Sequence, residues 1–129
     1  MGIGSRSAFL LIAWLAAAAP VHAGAFSSRA QVPVDAFATV VGRVLASIPF
    51  CGGDADEAAM FKGHINKMLT PFAPDQGDLE RFWKAAMAAA DAAQPKGVDC
   101  TDAGGQALFG DLMAARRDIA AALGVALTQ

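Results

Sequence analysis

Two cysteines, Cys51 and Cys100, narrow what this chain can fold into more than any other feature. Cys51 stands in IPFCGGD, between a proline and a glycine pair, and Cys100 in KGVDCTD. There is no CxxC. Two cysteines in an oxidising compartment are read first as one structural disulfide, whereas the same pair in a reducing one is not. The N-terminus therefore decides the matter. MGIGSRSAFLLIAWLAAAAPVHA has one positive charge at Arg6, an unbroken apolar run from Ala8 to Ala19, a helix breaker at Pro20, and the small-x-small close Val21-His22-Ala23. That pattern is a cleavable signal peptide over residues 1–23, and its apolar run is too short to span a bilayer. The expected location is periplasmic or secreted, and the expected bond joins Cys51 to Cys100.

What remains, residues 24–129, is the size of one domain. Without Arg6 it carries 9 basic and 12 acidic side chains, a net charge of −3. With no Lys/Arg block, such a chain is a poor partner for nucleic acid or an anionic membrane. No second apolar segment is expected to be long enough to span a membrane, and no stable insertion is expected once the signal is removed.

Spacing predicts helices and no strands. Residues 24–32 are expected to be loose. Phe37, Val40, Val41, Val44, Leu45 and Ile48 form an apolar stripe at helical spacing from Pro33 to Ile48, with Pro33 in the first turn and Pro49 as the stop. A second helix opens at Asp54, with Glu57 three residues on as in a capping box, and runs to Leu69, burying Ala58, Phe61, Ile65, Met68 and Leu69. A third follows Asp75 or Asp78, with Leu79, Phe82, Trp83, Ala86 and Ala90 on one face. A fourth runs from Thr101-Asp102 to Leu123 with Leu108, Leu112, Ala115 and Ile119 inward and Gly124 as C-cap. Gly104, Gly105 and Gly110 weaken its first half and would admit a close neighbouring helix.

Four amphipathic helices with short connections predict an all-α, up-down-up-down four-helix bundle. In that topology the turn holding Cys51 and the turn holding Cys100 lie at the same end, so topology and cysteine placement agree. The bond closes a loop long enough to contribute about 4 kcal/mol by the chain-entropy model.

Motifs of chemistry are scarce. DADE at Asp54–Glu57 lacks the glycine and glutamate of a calcium loop, since Ala59 and Ile65 occupy those positions, and is better read as acids at a helix N-terminus. A Cys51–His64 nucleophile pair lacks an orienting third group. GxSxG, phosphate-cradling glycine motifs and CxxCH are all absent. One constellation has metal-ligand character. Met60, His64 and Met68 follow one another at i+4 on the second helix, and soft sulfur with imidazole suits copper(I) or an axial position on haem. The competing reading is a core methionine, a boundary histidine and a surface methionine.

In size, export, helicity and wide cysteine spacing the chain resembles the acid-stress chaperones of the periplasm, a family that implies a dimer shielding unfolding clients. PFCGGD carries no motif of that family, and no site follows from the resemblance. The function expected from the residues is a non-enzymatic exported module, chaperone-like or inhibitor-like, that presents helical surface to another protein, with a homodimer compatible and no cofactor required. A small copper or haem binder using His64 with Met60 and Met68 is the alternative.

Overall fold

The computed structural model describes residues 25–93 and 97–127. The signal-peptide expectation for residues 1–23 lies outside the described residues. Those described are helical, with no strand among them: a single turn α1 (Ala25–Ser28), then α2 (Gln31–Phe50), α3 (Ala55–Leu69), a 3-10 turn (Thr70–Phe72), α4 (Gln76–Ala92) and α5 (Asp102–Leu123). A disulfide joins Cys51 to Cys100, with Cα atoms 5.5 Å apart.

The helix α2 is central. Its buried residues Val34, Phe37, Ala38, Val41 and Leu45 recur at helical spacing, and its most extensive packing is against α4 and then α5. Neighbours along α2 and α4 rise together in number, because Phe37 meets Phe82 with ring centroids 5.7 Å apart and Gly42 meets Ala86, Ala89 and Ala90. The two helices therefore run in the same direction. Along α5 the order reverses: Arg43 pairs with Asp111, while Ser47, nearer the end of α2, shares a cleft with Ala103.

Gly42 explains why α2 and α4 approach so closely. A Cβ at this position would stand 2.5 Å from the Ala86 carbonyl oxygen and 2.7 Å from the Ala90 nitrogen, both fixed backbone atoms. The close approach expected at Gly104, Gly105 and Gly110 is not made there. Gly104 is pressed against Asp99 of its own leading loop, and Gly105 and Gly110 face open space.

Residues 24–32 depart from expectation where they are described. Phe26 and Ala30 are buried, and Phe26 adjoins Val34, Asp78 and Phe82. A lone phenylalanine among small and polar residues has no periodicity, so nothing in the local pattern marks it as core. A second departure concerns α2 as a whole, which is long and apolar enough to cross a membrane, contrary to the expectation of no such segment. Its apolar stripe is instead enclosed by α4 and α5.

Helix ends follow their side chains. Pro33 falls in the first turn of α2, where its missing N–H has no partner to lose. Pro49 lies in the last turn, and α2 runs one residue beyond it. The chain then reverses through Gly52 at φ +93°, with Gly52 N–H donating to the Pro49 carbonyl and Gly53 N–H to the Ile48 carbonyl. That left-handed closure needs a residue without Cβ. Asp54 accepts from Glu57 N–H to start α3. For α4 the two candidates divide the work: Asp75 is the N-cap, and Asp78 returns a bond to the Asp75 N–H, completing a capping box. Asp78 is only 2 % exposed and also accepts from Arg81 at 2.8 Å, so its buried charge is paired.

Less of α3 is buried. Only Ile65 and Leu69 are enclosed, with Ala58, Phe61 and Met68 half-buried. Two polar ties hold it: Trp83 Nε1–H donates to Asn66 Oδ1 at 3.0 Å, and Arg116 Nε donates to the Met68 carbonyl at 3.0 Å. The adjacent aromatics of α4 thus separate, Phe82 into the core and Trp83 to the seam with α3.

Two glycine substitutions should act with opposite signs. Gly42→Ala should destabilise by about 1–3 kcal/mol, because the α2–α4 backbones must part. Gly63→Ala in α3, where nothing lies within 4 Å of the added methyl, should stabilise by about 0.5–1 kcal/mol through helix propensity. Chemical denaturation of both variants checks this, and equal signs would refute the close-approach account of Gly42.

Candidate functional site

The end of the molecule that carries the disulfide is also where its surface is concave. Three hollows adjoin there through shared residues. The first, about 490 Å³, lies between α2 and α5 and is lined by Arg43, Ser47, Val98, Asp99, Ala103 and Leu108 among others. The second, about 230 Å³, shares Ser47, Asp99 and Leu108 and passes over Cys51, Cys100 and Glu57. The third, about 400 Å³, shares Thr101 and Gly105 and ends on Asp102, Gln106 and Phe109. Linked through the residues each shares with the second, the three hollows make up a grooved surface around the first half of α5.

Small residues make the groove. Gly105 faces empty space, Ala103 and Ala107 add only methyl groups along α5, and a larger residue at these positions would fill the furrow. At its far edge stands Phe109, 61 % exposed, and Phe50 on the last turn of α2 is 53 % exposed at the same end. Two large aromatics left in water beside a concave surface are the residue type that anchors interfaces.

The groove's polar groups are mainly carboxylates. Glu57, Asp99 and Asp102 each line part of it. The one described cation in the lining is Arg43, paired with Asp111 at 3.5 Å. The Asp99 carboxylate accepts from the Thr101 hydroxyl and the Thr101 backbone N–H, and these two bonds hold its pKa below the ordinary 3.8. Since the folded loop favours the ionised form, this tie is complete above that ordinary value. It is lost as pH falls through the lowered one. Thr101 in turn caps α5 by accepting from Gly104 N–H.

The predicted site residues divide. Cys51 and Cys100 come together as expected, both exposed. Gly52 and Gly53 make the tight return between the bridge and Asp54, a Cβ on Gly53 lying 2.5 Å from Glu57 Oε2. Along the proposed metal ridge, Met60 and His64 are exposed, whereas Met68 is half-buried against the core. Among the described residues no group of three or more His, Cys, Asp and Glu side chains is placed to hold a metal ion. The residues that sequence reasoning missed are Phe109 and the carboxylates as a groove lining. Gly105 was the available signal, because a glycine within a helix leaves a furrow as readily as it admits a neighbour.

No protein-family model matches this chain, and neither does any curated protein or solved structure.

The bridge gives a direct chemical test. Under denaturing conditions the unreduced protein should titrate no free thiol, and both cysteines should react only after reduction. Cys51→Ser should lower the unfolding free energy by about 2–4 kcal/mol, the usual range for a bond closing a loop of this length. Reactive thiols without reductant would exclude the bond in solution.

Proposed function

We propose that this protein is an exported, non-enzymatic module of the periplasm or the extracellular space that binds another protein. It would do so at the disulfide end of an up-down-up-down helical bundle. The observation that carries the reading is Phe109, which stands exposed at the hollow lined by Thr101, Asp102, Gly105 and Gln106 while comparable aromatics, Phe37 and Phe82, are buried. Covering such a ring removes apolar surface worth roughly 1.5–3 kcal/mol from water. A pair of exposed aromatics at one end of a small domain supports an interface there. The exposed disulfide supports an oxidising compartment, where such a bond persists. No nucleic-acid or membrane partner is part of the reading.

The groove also differs from the surface a metal binder would use. Copper(I) or haem would sit on the Met60–His64–Met68 ridge of α3, and the two readings are separable by mutation. A photoreactive residue replacing Phe109, in the full chain expressed in its own host, should form a covalent adduct with another polypeptide. The same residue at Val32, 81 % exposed at the opposite end of α2, should not. Absence of any adduct at position 109, together with sub-micromolar copper(I) affinity that His64→Ala abolishes, would overturn this reading in favour of the ridge.

A further inference from the structure

Charge is unevenly distributed over this molecule, and the imbalance specifies the partner. Asp54, Asp56, Glu57, Asp91, Asp99 and Asp102 all belong to the helix ends and turns that meet at the disulfide end. Towards the other end and along α5 beyond the groove, the cations Arg29, Lys67, Arg81, Arg116 and Arg117 stand among the acids Asp35, Asp75, Asp78, Glu80 and Asp118, so that charge there is nearly balanced. A net charge of only a few units for the chain hides this segregation.

Acids at helix N-termini are ordinarily explained by the helix dipole, and Asp54 and Asp102 do occupy such places. At this end, however, the dipoles oppose one another. The N-termini of α3 and α5 arrive beside the C-termini of α2 and α4, so the partial positive charges of one pair are offset by the partial negative charges of the other. The field of the carboxylates is therefore left largely uncancelled. Among the described residues of the groove, Arg43 is engaged by Asp111, which leaves Glu57, Asp99 and Asp102 as their unpaired charge. A concave, low-dielectric wall focuses such a field outward.

We infer that the groove is a docking site for a basic amphipathic segment of another protein, with an apolar side chain resting against Phe109 and flanking lysines or arginines facing Glu57 and Asp102. This rests on the protein-binding reading and adds the chemistry of the partner to it. Charge complementarity selects this occupant. A second copy meeting it groove to groove would set one carboxylate-lined surface against another, and like charges across an interface are strongly disfavoured. An acidic segment is excluded on the same ground. The apolar contact sets the position and the carboxylates set the sign of what is accepted.

The test uses the full-length mature protein and a designed helical peptide of about 14 residues, roughly four turns, with leucine on one face and lysine on the other, beside its counterpart with glutamate for every lysine. Fluorescence anisotropy should give micromolar binding of the lysine peptide at low salt and none of the glutamate peptide. Affinity should fall about tenfold between about 50 and 300 mM salt as the carboxylates are screened. Glu57→Gln with Asp102→Asn should weaken binding about tenfold and reduce that salt dependence, and Phe109→Ala should weaken it without changing the salt dependence. Asp118→Asn, on α5 beyond the groove, should have no effect, and circular dichroism should show every variant folded.

Equal binding of both peptides, or indifference to the double carboxylate variant, overturns the inference. Self-association that Phe109→Ala abolishes overturns it too, by making a second copy the occupant. The two proposals fail separately. A photo-adduct at position 109 with no affinity for the lysine peptide sinks the basic partner and leaves protein binding standing.

Discussion

The approach of α2 to α4 at Gly42 is the contact on which the rest of the architecture depends. Backbone meets backbone there, with Ala86, Ala89 and Ala90 presenting only methyl groups and main-chain atoms to the vacancy at Gly42. Such closeness allows Phe37 and Phe82 to interlock one turn away, ring against ring. It also makes α2 the central element, so that its remaining faces are available to α5 and, less extensively, to α3. Dispersion between these close-packed small residues adds to that of the bulky side chains, such as Phe37, Phe82, Leu69 and Ile119, that fill the rest of the core.

With α2 and α4 locked as a pair, the other two helices are held by different means. At one end, α5 is covalently tied to the end of α2 through Cys51 and Cys100, and it buries Leu112, Ala115 and Ile119. Hydrogen bonds at Asn66 and the Met68 carbonyl, and Arg116 stacked over Phe72, secure α3 to both neighbours. These contacts concentrate near the end of α3 remote from the disulfide. The disulfide end thus has its backbone fixed by a covalent bond and a left-handed glycine turn rather than by a deep core, and its surface is free to be concave.

Much of this was legible in the spacing of residues. The four long helices, the Gly52 return, the Asp54 and Thr101 starts and the Gly124 stop follow from local chemistry that acts within four residues, and pattern reading captures such chemistry well. What escaped is non-local. Phe26 has no periodic partner in sequence, and its burial depends on Asp78 and Phe82 being brought beneath it. Gly42 looks like any glycine inside an apolar helix until Ala86 is known to face it. The groove was hidden for a related reason: Glu57 is separated from Asp99 and Asp102 by tens of residues and comes to the same end only in the folded chain. Met68 shows the limit in the other direction, because i+4 spacing places it on the ridge with His64, while packing draws it towards the core.

The disulfide and the groove are physically linked. Gly105 and Gly110 each weaken α5 by about 1 kcal/mol relative to alanine, and neither is required by a neighbour, since open space surrounds both. Gly104 is different, because Asp99 leaves no room for a side chain. A helix so weakened in its first half, with Phe109 exposed rather than buried, would fray from its N-terminus. The bond at Cys100 lies immediately before that half and contributes about 2–4 kcal/mol, enough to offset the two open glycines. Placing the covalent tie beside the furrow therefore holds the groove's walls in position without filling it, which a larger apolar core at that end could not do.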